Sequence, residues 1–340
     1  MNRIWIDLDN SPHVPLFRPV IEELGRRGAE CEITARDFAQ TRALLELWSI
    51  PGRIIGRHGG KRKSKKVLNL LYRAGQLRKH IAGRAVDLAL SHGSRTQLVA
   101  ARTMGIKTVL MMDYEYTEAT IFKLFADRIL VPEHIPDSRL ASVGIDIEKV
   151  IRYPGFKEEL YLNSFEPVPG LREKLSIGED EILVTVRPPA MEGNYHDSLS
   201  EHILLEILER LTADGRVHPL IVGRTRKDRE FLEQHFDGKL HFLEGAVDGL
   251  QLIWASDIFI SGGGSMNREA ALLGVPTYSI FTGRKPYLDE HLARQGRLTF
   301  IDTMEKTGLL EMKKRDIPRC FEATSPGLVD KVVDIILSLR

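Results

Sequence analysis

Cysteine is scarce in this sequence, and long apolar runs are missing from it. Two cysteines, Cys31 and Cys320, cannot build a disulfide scaffold or a four-cysteine zinc site. No apolar run approaches the roughly 18–20 residues that span a bilayer. The first ten residues are too short and too charged a segment for a secretion signal. We therefore expect a cytoplasmic protein with reduced thiols, and peripheral contact with the inner face of the membrane stays open.

Net charge is also nearly absent. The chain has 48 lysines and arginines against 47 acidic residues, a formal net charge of +1, so no global field draws it to nucleic acid. We expect no nucleic-acid partner, and any anion site must be local. The 11 histidines are scattered, and none forms a helical pair with acidic support, so the sequence predicts neither a metal site nor a bound cofactor. The remaining composition, 43% hydrophobic and 28% charged, is that of a globular protein of about two domains.

Short apolar segments alternate with amphipathic ones along the whole chain. In the first half this pattern predicts strands at 4–8, 30–35, 86–90, 107–112 and 128–132, with helices between them. After a proline- and glycine-rich linker near 163–170, a second series predicts strands at 182–186, 218–222, 240–243, 258–260 and 277–280. A last helix is predicted at about 327–339. Apolar strands alternating with helices predict two α/β units in series, each with a parallel sheet covered on both faces.

A glycine run stands between the strand at 258–260 and the next helix. Glycines let a backbone approach a ligand closely, and a helix N-terminus offers free amides, so residues 261–270 suit a phosphate or diphosphate. The run lacks both the Gly-Lys-Ser/Thr ending of a P-loop and the usual dinucleotide spacing. Glu269 follows inside the helix, where a carboxylate can hold the paired hydroxyls of a sugar. The alternative is a tight turn with Glu269 in solvent.

Two polar turns of the first half are candidates for chemistry. His13 follows the first strand, where it is either a general base or phosphate donor, or a helix-capping or core histidine. Asp7 and Asp9 are close enough in sequence to orient it. Asp113 and Glu115 follow the strand at 107–112, where they either perform acid/base work or cap a helix.

Two further segments complete the set of candidates. His92 lies in the small-residue turn 91–94 and is a secondary catalytic candidate. The strongest charge run occupies residues 57–66 and precedes an amphipathic segment. Its uses are docking on anionic lipid, gripping a phosphorylated acceptor, binding nucleic acid, or serving as a solvated loop, and the lack of interleaved aromatic residues argues against single-stranded nucleic acid. The basic residues assigned to this acceptor or membrane surface are Lys61, Arg62, Lys63, Lys65 and Lys66.

The two halves, the glycine loop with its carboxylate-bearing helix, and Gly274-Val275-Pro276 resemble the GT-B superfamily of nucleotide-sugar glycosyltransferases and UDP-N-acetylglucosamine 2-epimerases. Residues 11–16, before a helix ending at 25–28, resemble the glycine-histidine-x-x-proline opening of such transferases. More closely, the full chain resembles an uncharacterised prokaryotic domain-of-unknown-function family that is GT-B-like. The matching stretches are 7–15, 153–162, 186–189 and 262–276.

This resemblance implies two Rossmann-like domains whose parallel sheets face an interdomain cleft. The boundaries would be 1–162 for an acceptor domain, 163–325 for a nucleotide-sugar domain, and 326–340 for a C-terminal helix packing back on the first domain. Glu269 would hold the ribose, and Arg187 and Arg224, each just after a strand, would contact the diphosphate. The remaining nucleotide-sugar-binding residues would be Gly262, Gly263, Gly264, Ser265 and Asn267.

The resemblance also implies a reaction. We expect a glycosyltransferase that takes a nucleoside-diphosphate sugar, uridine being the favoured base, and transfers the sugar to a cell-envelope or lipid-linked acceptor. His13 or Asp113, with Glu115 as a further candidate, would act as the base. One alternative is a nucleotide-sugar 2-epimerase, which acts on the donor alone. Another is a non-catalytic binder of nucleotides or glycans.

Overall fold

A computed structural model describes residues 2–38, 40–57, 63–189, 198–223, 226–245 and 247–339. The chain divides into two compact units, one formed by Met1–Asn163 with Ser325–Arg340 and the other by Ser164–Thr324. Each unit has its own parallel sheet and its own buried apolar core. The predicted fold class, α/β with two parallel sheets, is confirmed.

The first unit contains a seven-stranded sheet in the order β3-β2-β1-β4-β5-β6-β7, and every pairing is parallel. Along β1, the side chains of Ile4 and Ile6 join the core on one face, while Trp5 joins the core on the other. Both faces are therefore buried, as the apolar sequence predicts. The strands are β1 Asn2–Leu8, β2 Ala29–Asp37, β3 Arg53–Arg57, β4 Leu88–His92, β5 Lys107–Met111, β6 Arg128–Pro132 and β7 Val150–Tyr153.

Helices follow most of these strands, because each parallel connection must cross over the sheet. The helix after β1 begins at His13 and buries Val14, Phe17 and Val20 against the sheet. The helices of this part of the chain are α1 His13–Arg26, α2 Thr41–Leu47, α3 Lys63–Ile81, α4 Arg95–Thr103, α5 Thr120–Phe125, α6 Asp137–Ser142 and α7 Glu159–Leu162.

The second unit repeats this architecture with a six-stranded parallel sheet in the order β10-β9-β8-β11-β12-β13. The strands are β8 Ile182–Arg187, β9 Val217–Ile221, β10 His241–Phe242, β11 Ile258–Ser261, β12 Thr277–Ser279 and β13 Thr299–Phe300. The helices are α8 Leu171–Lys174, α9 Ser198–Ala213, α10 Arg226–Phe236, α11 Gly249–Ala255, α12 Ser265–Leu272 and α13 Tyr287–Arg294.

Edge strands are where the structure departs from the sequence-based expectation. The sequence predicts that the strand at 128–132 closes the first half, but β7 adds one more strand beyond it. At the opposite edge, β3 was not predicted either. Both strands are short and only partly buried, and β3 carries arginine at each end. They therefore lack the continuous apolar run by which the central strands are recognised.

The C-terminal helix α14, Leu328–Ser338, belongs to the first unit. Val332, Val333 and Ile336 are fully buried in the core that β1 and α1 share. Arg27, at the end of α1, also pairs with Asp330 at 3.1 Å. The chain thus returns to its first unit after completing the second, as the resemblance implies.

Candidate functional site

In each sheet the strand order reverses once, and the candidate residues lie beside that reversal. The reversal falls between β1 and β4 in the first unit and between β8 and β11 in the second. At such a point the crossovers leave on opposite faces, so a crevice opens outside the carboxyl ends of the two strands, where ligands of open α/β sheets bind. In the first unit, His13 follows β1 and His92 ends β4. In the second unit, Arg187 ends β8 and the glycine run follows β11.

Two different structural reasons explain why the three residues after β11 are glycines. A side chain at Gly262 would place its Cβ 2.5 Å from Cα of Pro189, so Gly262 allows the loops after β8 and β11 to touch. Gly263 and Gly264 have φ of +95° and +102°, a region that favours glycine. A Cβ on Gly264 would meet no heavy atom within 4 Å among the described residues. The loop therefore opens at Gly264, directly before α12.

Asn267 is the polar side chain that this loop buries. Its Oδ1 accepts a hydrogen bond from Ser261 Oγ at 2.5 Å, and Ser261 Oγ also accepts from the Gly263 amide at 3.1 Å. Asn267 is fully buried, yet its Nδ2 has no hydrogen-bond partner among the residues that the structure describes. A buried donor without a partner costs roughly 1–3 kcal/mol, so this amide is suited to an acceptor supplied by a ligand.

Arg187, which we expect to contact the diphosphate, is held by the backbone of a neighbouring loop. Arg187 donates from Nη1 to the backbone oxygens of Val222 and Gly223, at 2.9 and 2.8 Å, and so ties β8 to the loop after β9. Arg224 lies outside the described residues. Glu269 is half-buried and lies one turn into α12, and Ser265 is the first residue of that helix.

Several ionisable groups of the first unit contact one another at the carboxyl edge of its sheet. His92 Nε2 lies 3.0 Å from Asp113 Oδ1, and the other carboxylate oxygen lies 2.7 Å from Lys157 Nζ. The rings of His13 and His92 are 5.0 Å apart. Asp113 and Lys157 are both buried. The sequence-predicted His13, His92 and Asp113 thus come together, and Asp113 fixes the orientation of the His92 ring.

Lys157 is the member of this chain of groups that our residue-by-residue reasoning missed. It lies between β7 and α7, far along the sequence from Asp113, and its Nζ also lies 3.5 Å from Glu158 Oε1. Glu158 and Glu115 are both completely buried. The signal that could have found Lys157 was its place in the matching stretch 153–162.

His13 is held neutral. Burial, with smaller contributions from the neighbouring charges of His92 and Lys157, lowers the pKa of His13 well below its ordinary value. Its Nδ1 is buried and has no hydrogen-bond partner in the described part of the chain. A neutral imidazole whose Nδ1 has no hydrogen-bond partner can accept a proton, which is the chemical requirement for a general base.

Asp7 does not orient His13, contrary to one expectation from the sequence. Its Oδ1 accepts from Thr34 Oγ1 at 2.6 Å and its Oδ2 from Ser94 Oγ at 2.5 Å, while Arg73 donates to both oxygens. Burial by itself raises the pKa of Asp7, but the Arg73 charge and these hydrogen bonds outweigh it and hold the pKa below its usual range. The Asp7 carboxylate therefore links β1 to β2, to α3 and to the start of α4.

Asp9 also has other partners. Its Oδ1 lies 2.7 Å from Arg36 and 3.2 Å from Arg73. Burial, followed by repulsion from the Asp7 carboxylate, raises the pKa of Asp9 to about 6 despite these arginines. These contacts brace the turn that precedes His13 rather than the His13 ring.

The basic run is described only in part. Lys61 and Arg62 lie outside the described residues, and Lys63, Lys65 and Lys66 begin α3 with side chains that are also outside them. Within the described ranges, no group of three or more histidine, cysteine or acidic side chains could hold a metal ion. No described helix is both long enough and apolar enough to cross a membrane.

A family model described as a protein of unknown function (DUF354) matches residues 2–316. The chain belongs to this family. It is also 27% identical over 304 residues to an uncharacterized protein of Methanocaldococcus jannaschii, covering 87% of this chain and 86% of that protein. The resemblance to a family of unknown function is thereby confirmed.

Solved structures similar to this DUF354 chain include several UDP-GlcNAc 2-epimerases. The Staphylococcus aureus MnaA–UDP structure matches with a TM-score of 0.77 and 15% identity, covering 100% of this chain and 98% of that one. UDP-GlcNAc 2-epimerase from Neisseria meningitidis, bound to UDP-GlcNAc, matches at 0.75 with 14% identity, covering 99% and 100%. The epimerase of M. jannaschii, in complex with UDP-GlcNAc and UDP, gives the same TM-score, identity and coverage. At these identities the similarity establishes the fold, and the GT-B prediction is confirmed.

Proposed function

We propose that this protein is an enzyme acting on a nucleoside-diphosphate sugar, whose diphosphate binds at the glycine loop of the second unit. The observation that carries the proposal is the buried Asn267 amide, whose Nδ2 has no partner among the described residues, behind the open backbone at Gly264. A diphosphate oxygen would accept from this donor and from amides at the start of α12. Two neighbours with the same fold hold UDP or UDP-GlcNAc in their structures, which supports uridine as the base.

For the reaction, we propose sugar transfer to a cell-envelope or lipid-linked acceptor. His13 would take the proton of the acceptor hydroxyl as its oxygen bonds to the anomeric carbon, and the bond to the diphosphate would break with its electron pair on the leaving group. The loop amides would stabilise that negative charge. His13 fits the role of base because it is neutral and its Nδ1 has no hydrogen-bond partner among the described residues. Asp113 already contacts both His92 and Lys157, so it fits a positioning role better than the role of base.

A 2-epimerase is the second candidate, and a specific observation favours it. The first unit buries Glu115, Glu158, Asp113 and Lys157 near its sheet edge, where His13 and His92 also lie. One base suffices for transfer, whereas epimerisation must remove and return a proton on the donor sugar itself. A dense set of acid/base groups suits that demand.

Removing the Asn267 amide tests the binding proposal. Asn267→Ala should weaken UDP binding about ten- to hundredfold, because a hydrogen bond to a charged group contributes roughly 1.5–3 kcal/mol. The measurement is titration calorimetry. A matched control is Thr277→Val, which removes one buried side-chain hydrogen bond from the start of β12. Equal UDP affinity in the two variants would place the nucleotide elsewhere.

The choice of reaction is tested with the donor alone. UDP-N-acetylglucosamine incubated with the protein in the absence of an acceptor should remain unchanged for a transferase and should equilibrate with its C2 epimer for an epimerase. Proton NMR distinguishes the two sugars. UDP binding with neither epimerisation nor transfer of the sugar to any offered polyprenyl-phosphate or glycan acceptor, read as free UDP, would favour the non-catalytic binder.

A further inference from the structure

Helix α3 carries an apolar stripe on its outer side. Val67, Leu68, Leu71 and Tyr72 are 56–69% exposed, although all four belong to a well-formed helix. Their spacing, i, i+1, i+4 and i+5, puts them on one side of the helix. The side that packs against the sheet is separate and contains Arg73, Ala74 and Leu77, all buried. The exposed stripe is therefore not part of the packing that holds α3 in place.

The stripe is confined to the first half of α3. One to two turns further on, the same side of the helix presents Arg78 and Lys79, both exposed. A helix face in water is normally polar along its length, as this second half is. An exposed group of large apolar side chains at one end of a helix marks a surface that meets something other than water.

The sequence around the stripe is strongly positive. Between Glu46 and Asp87 the sequence contains eleven lysines and arginines and no acidic residue, although the whole chain has a formal net charge of only +1. Three of these lysines, at positions 63, 65 and 66, form the first turn of α3 directly before the stripe. The stripe thus follows a concentrated positive charge.

A basic cavity adjoins the stripe. It has a volume of about 800 Å³ and reaches from β3 to α3, with Tyr72 of the stripe in its wall. Arg42, Arg53 and Arg57 line it, opposed by the single carboxylate of Asp37. Arg57 is 89% exposed and lies 3.8 Å from that carboxylate, so the cavity keeps an excess of positive charge. Such a cavity can receive an anionic head group next to apolar chains.

We propose that the outer side of α3 docks on a membrane that contains anionic lipid. Val67, Leu68, Leu71 and Tyr72 would enter the boundary between head groups and acyl chains, while the surrounding cations would contact lipid phosphates. The combination of an apolar stripe with an excess of positive charge selects this occupant, because another protein surface would have to supply both an apolar patch and a large acidic rim. This inference does not depend on the nucleotide site.

Vesicle binding tests the proposal with the full chain. The parent protein should co-sediment with vesicles of equal phosphatidylglycerol and phosphatidylcholine, and should bind pure phosphatidylcholine vesicles at least tenfold more weakly. Leu68→Gln with Leu71→Gln should reduce binding to the anionic vesicles at least tenfold. The matched control is Leu47→Gln with Leu124→Gln, two leucines that are 70% and 64% exposed elsewhere on the first unit, and it should bind like the parent.

The charge requirement has its own control. Replacing Lys63, Lys65 and Lys66 with glutamine should also reduce binding to anionic vesicles at least tenfold and should leave calorimetric UDP binding unchanged. The control replaces three exposed lysines of the second unit, Lys239, Lys313 and Lys314, in the same way. Parent protein that ignores anionic vesicles, or variants of α3 that bind them equally well, would overturn the proposal. So would a parent dimer that Leu68→Gln with Leu71→Gln converts to a monomer, since the stripe would then join two copies.

Discussion

The Glu269 carboxylate lies about one helical turn after the glycine loop, whose backbone is open at Gly264. It is half-buried and lies in α12, which begins at Ser265. A ribose has two neighbouring hydroxyls, and one carboxylate can accept a hydrogen bond from each. In the proposed complex this residue would therefore distinguish ribonucleotides from deoxyribonucleotides.

Calorimetry with the two forms of uridine diphosphate tests this role. We expect the parent to prefer the ribo form and Glu269→Gln to lose most of that preference, about ten- to hundredfold, because a charge-assisted hydrogen bond contributes roughly 1.5–3 kcal/mol. Glu290→Gln on the neighbouring helix α13 is the control and should keep the preference. Equal affinity of the parent for both forms would remove Glu269 from the ribose site.

The lowered pKa of His13 predicts how activity should depend on pH. Because burial lowers its pKa well below the ordinary value, the base should not be lost as pH falls through 6.5. We expect kcat/KM to stay level through that pH with respect to this group. His13→Asn should lower kcat about 10²- to 10⁴-fold, whereas His235→Asn, an exposed histidine of α10, should not. An acid limb centred near 6.5 would contradict the role.

The same shift has a consequence for folding. In the unfolded chain His13 regains its ordinary pKa and binds a proton below about pH 6.5, while the folded state does not. The unfolded state is therefore favoured progressively as pH falls below 6.5. This loss of folding free energy is absent above pH 6.5, and the part that His13 causes below that pH should disappear in His13→Asn.

Among elements, the turn from β11 to α12 depends on one glycine for packing. Gly262→Ala would bring a Cβ to 2.5 Å from the backbone of Pro189, so one of the two loops must shift. We expect a loss of roughly 1–3 kcal/mol in the free energy of unfolding of the second unit, as for other overpacked sites. Gly215→Ala, where a Cβ meets nothing within 4 Å among the described residues, should change it by less than about 0.5 kcal/mol. Denaturant titration measures both, and equal stability of the two variants would contradict the close approach.

Helix α3 illustrates how one element divides its surface between two purposes. One side holds the sheet through Leu77 and through Arg73, which reaches the Asp7 carboxylate. The other side carries the exposed stripe. The buried Arg73–Asp7 pair needs good geometry and further hydrogen bonds to offset the cost of desolvating both charges, and Thr34 and Ser94 provide them for Asp7.

At the scale of the whole molecule, the second unit is continuous in sequence, whereas the first is assembled from both ends of the chain. A fragment spanning 164–324 retains a complete sheet and core. A fragment spanning 1–163 lacks α14 and therefore exposes the surface that Val332, Val333 and Ile336 cover. The two units should thus differ in their ability to fold alone.

Expression of the two fragments tests this difference. We expect 164–324 to unfold cooperatively and to bind UDP, and 1–163 to be less stable by several kcal/mol than the same fragment joined to residues 325–340 through a flexible linker. In the full chain, Ile336→Ala should cost roughly 2–5 kcal/mol, because it removes a fully buried side chain. Far-ultraviolet circular dichroism during denaturation reports these values. A stable 1–163 fragment would mean that α14 contributes little to the core.

The sequence by itself determined the central strands, the crossover helices and the loops at the strand ends. These features follow from local patterns: continuous apolar runs such as 258–260 and a glycine run directly before a helix. Such patterns require no knowledge of distant residues. They were enough to bring His13 and the glycine loop to the carboxyl edges of their sheets.

Only the tertiary structure decided which polar side chains meet. Lys157 contacts Asp113 because β7 joins the sheet beyond β6, and Asp7 turns to Arg73 because α3 crosses the sheet beside it. Partially buried edge strands such as β3 and β7 carry a weak pattern, so their neighbours could not be read from spacing. A buried charge is stabilised by a partner group within a few ångströms. Strand order and the crossover connections determine which group lies there, rather than distance along the chain.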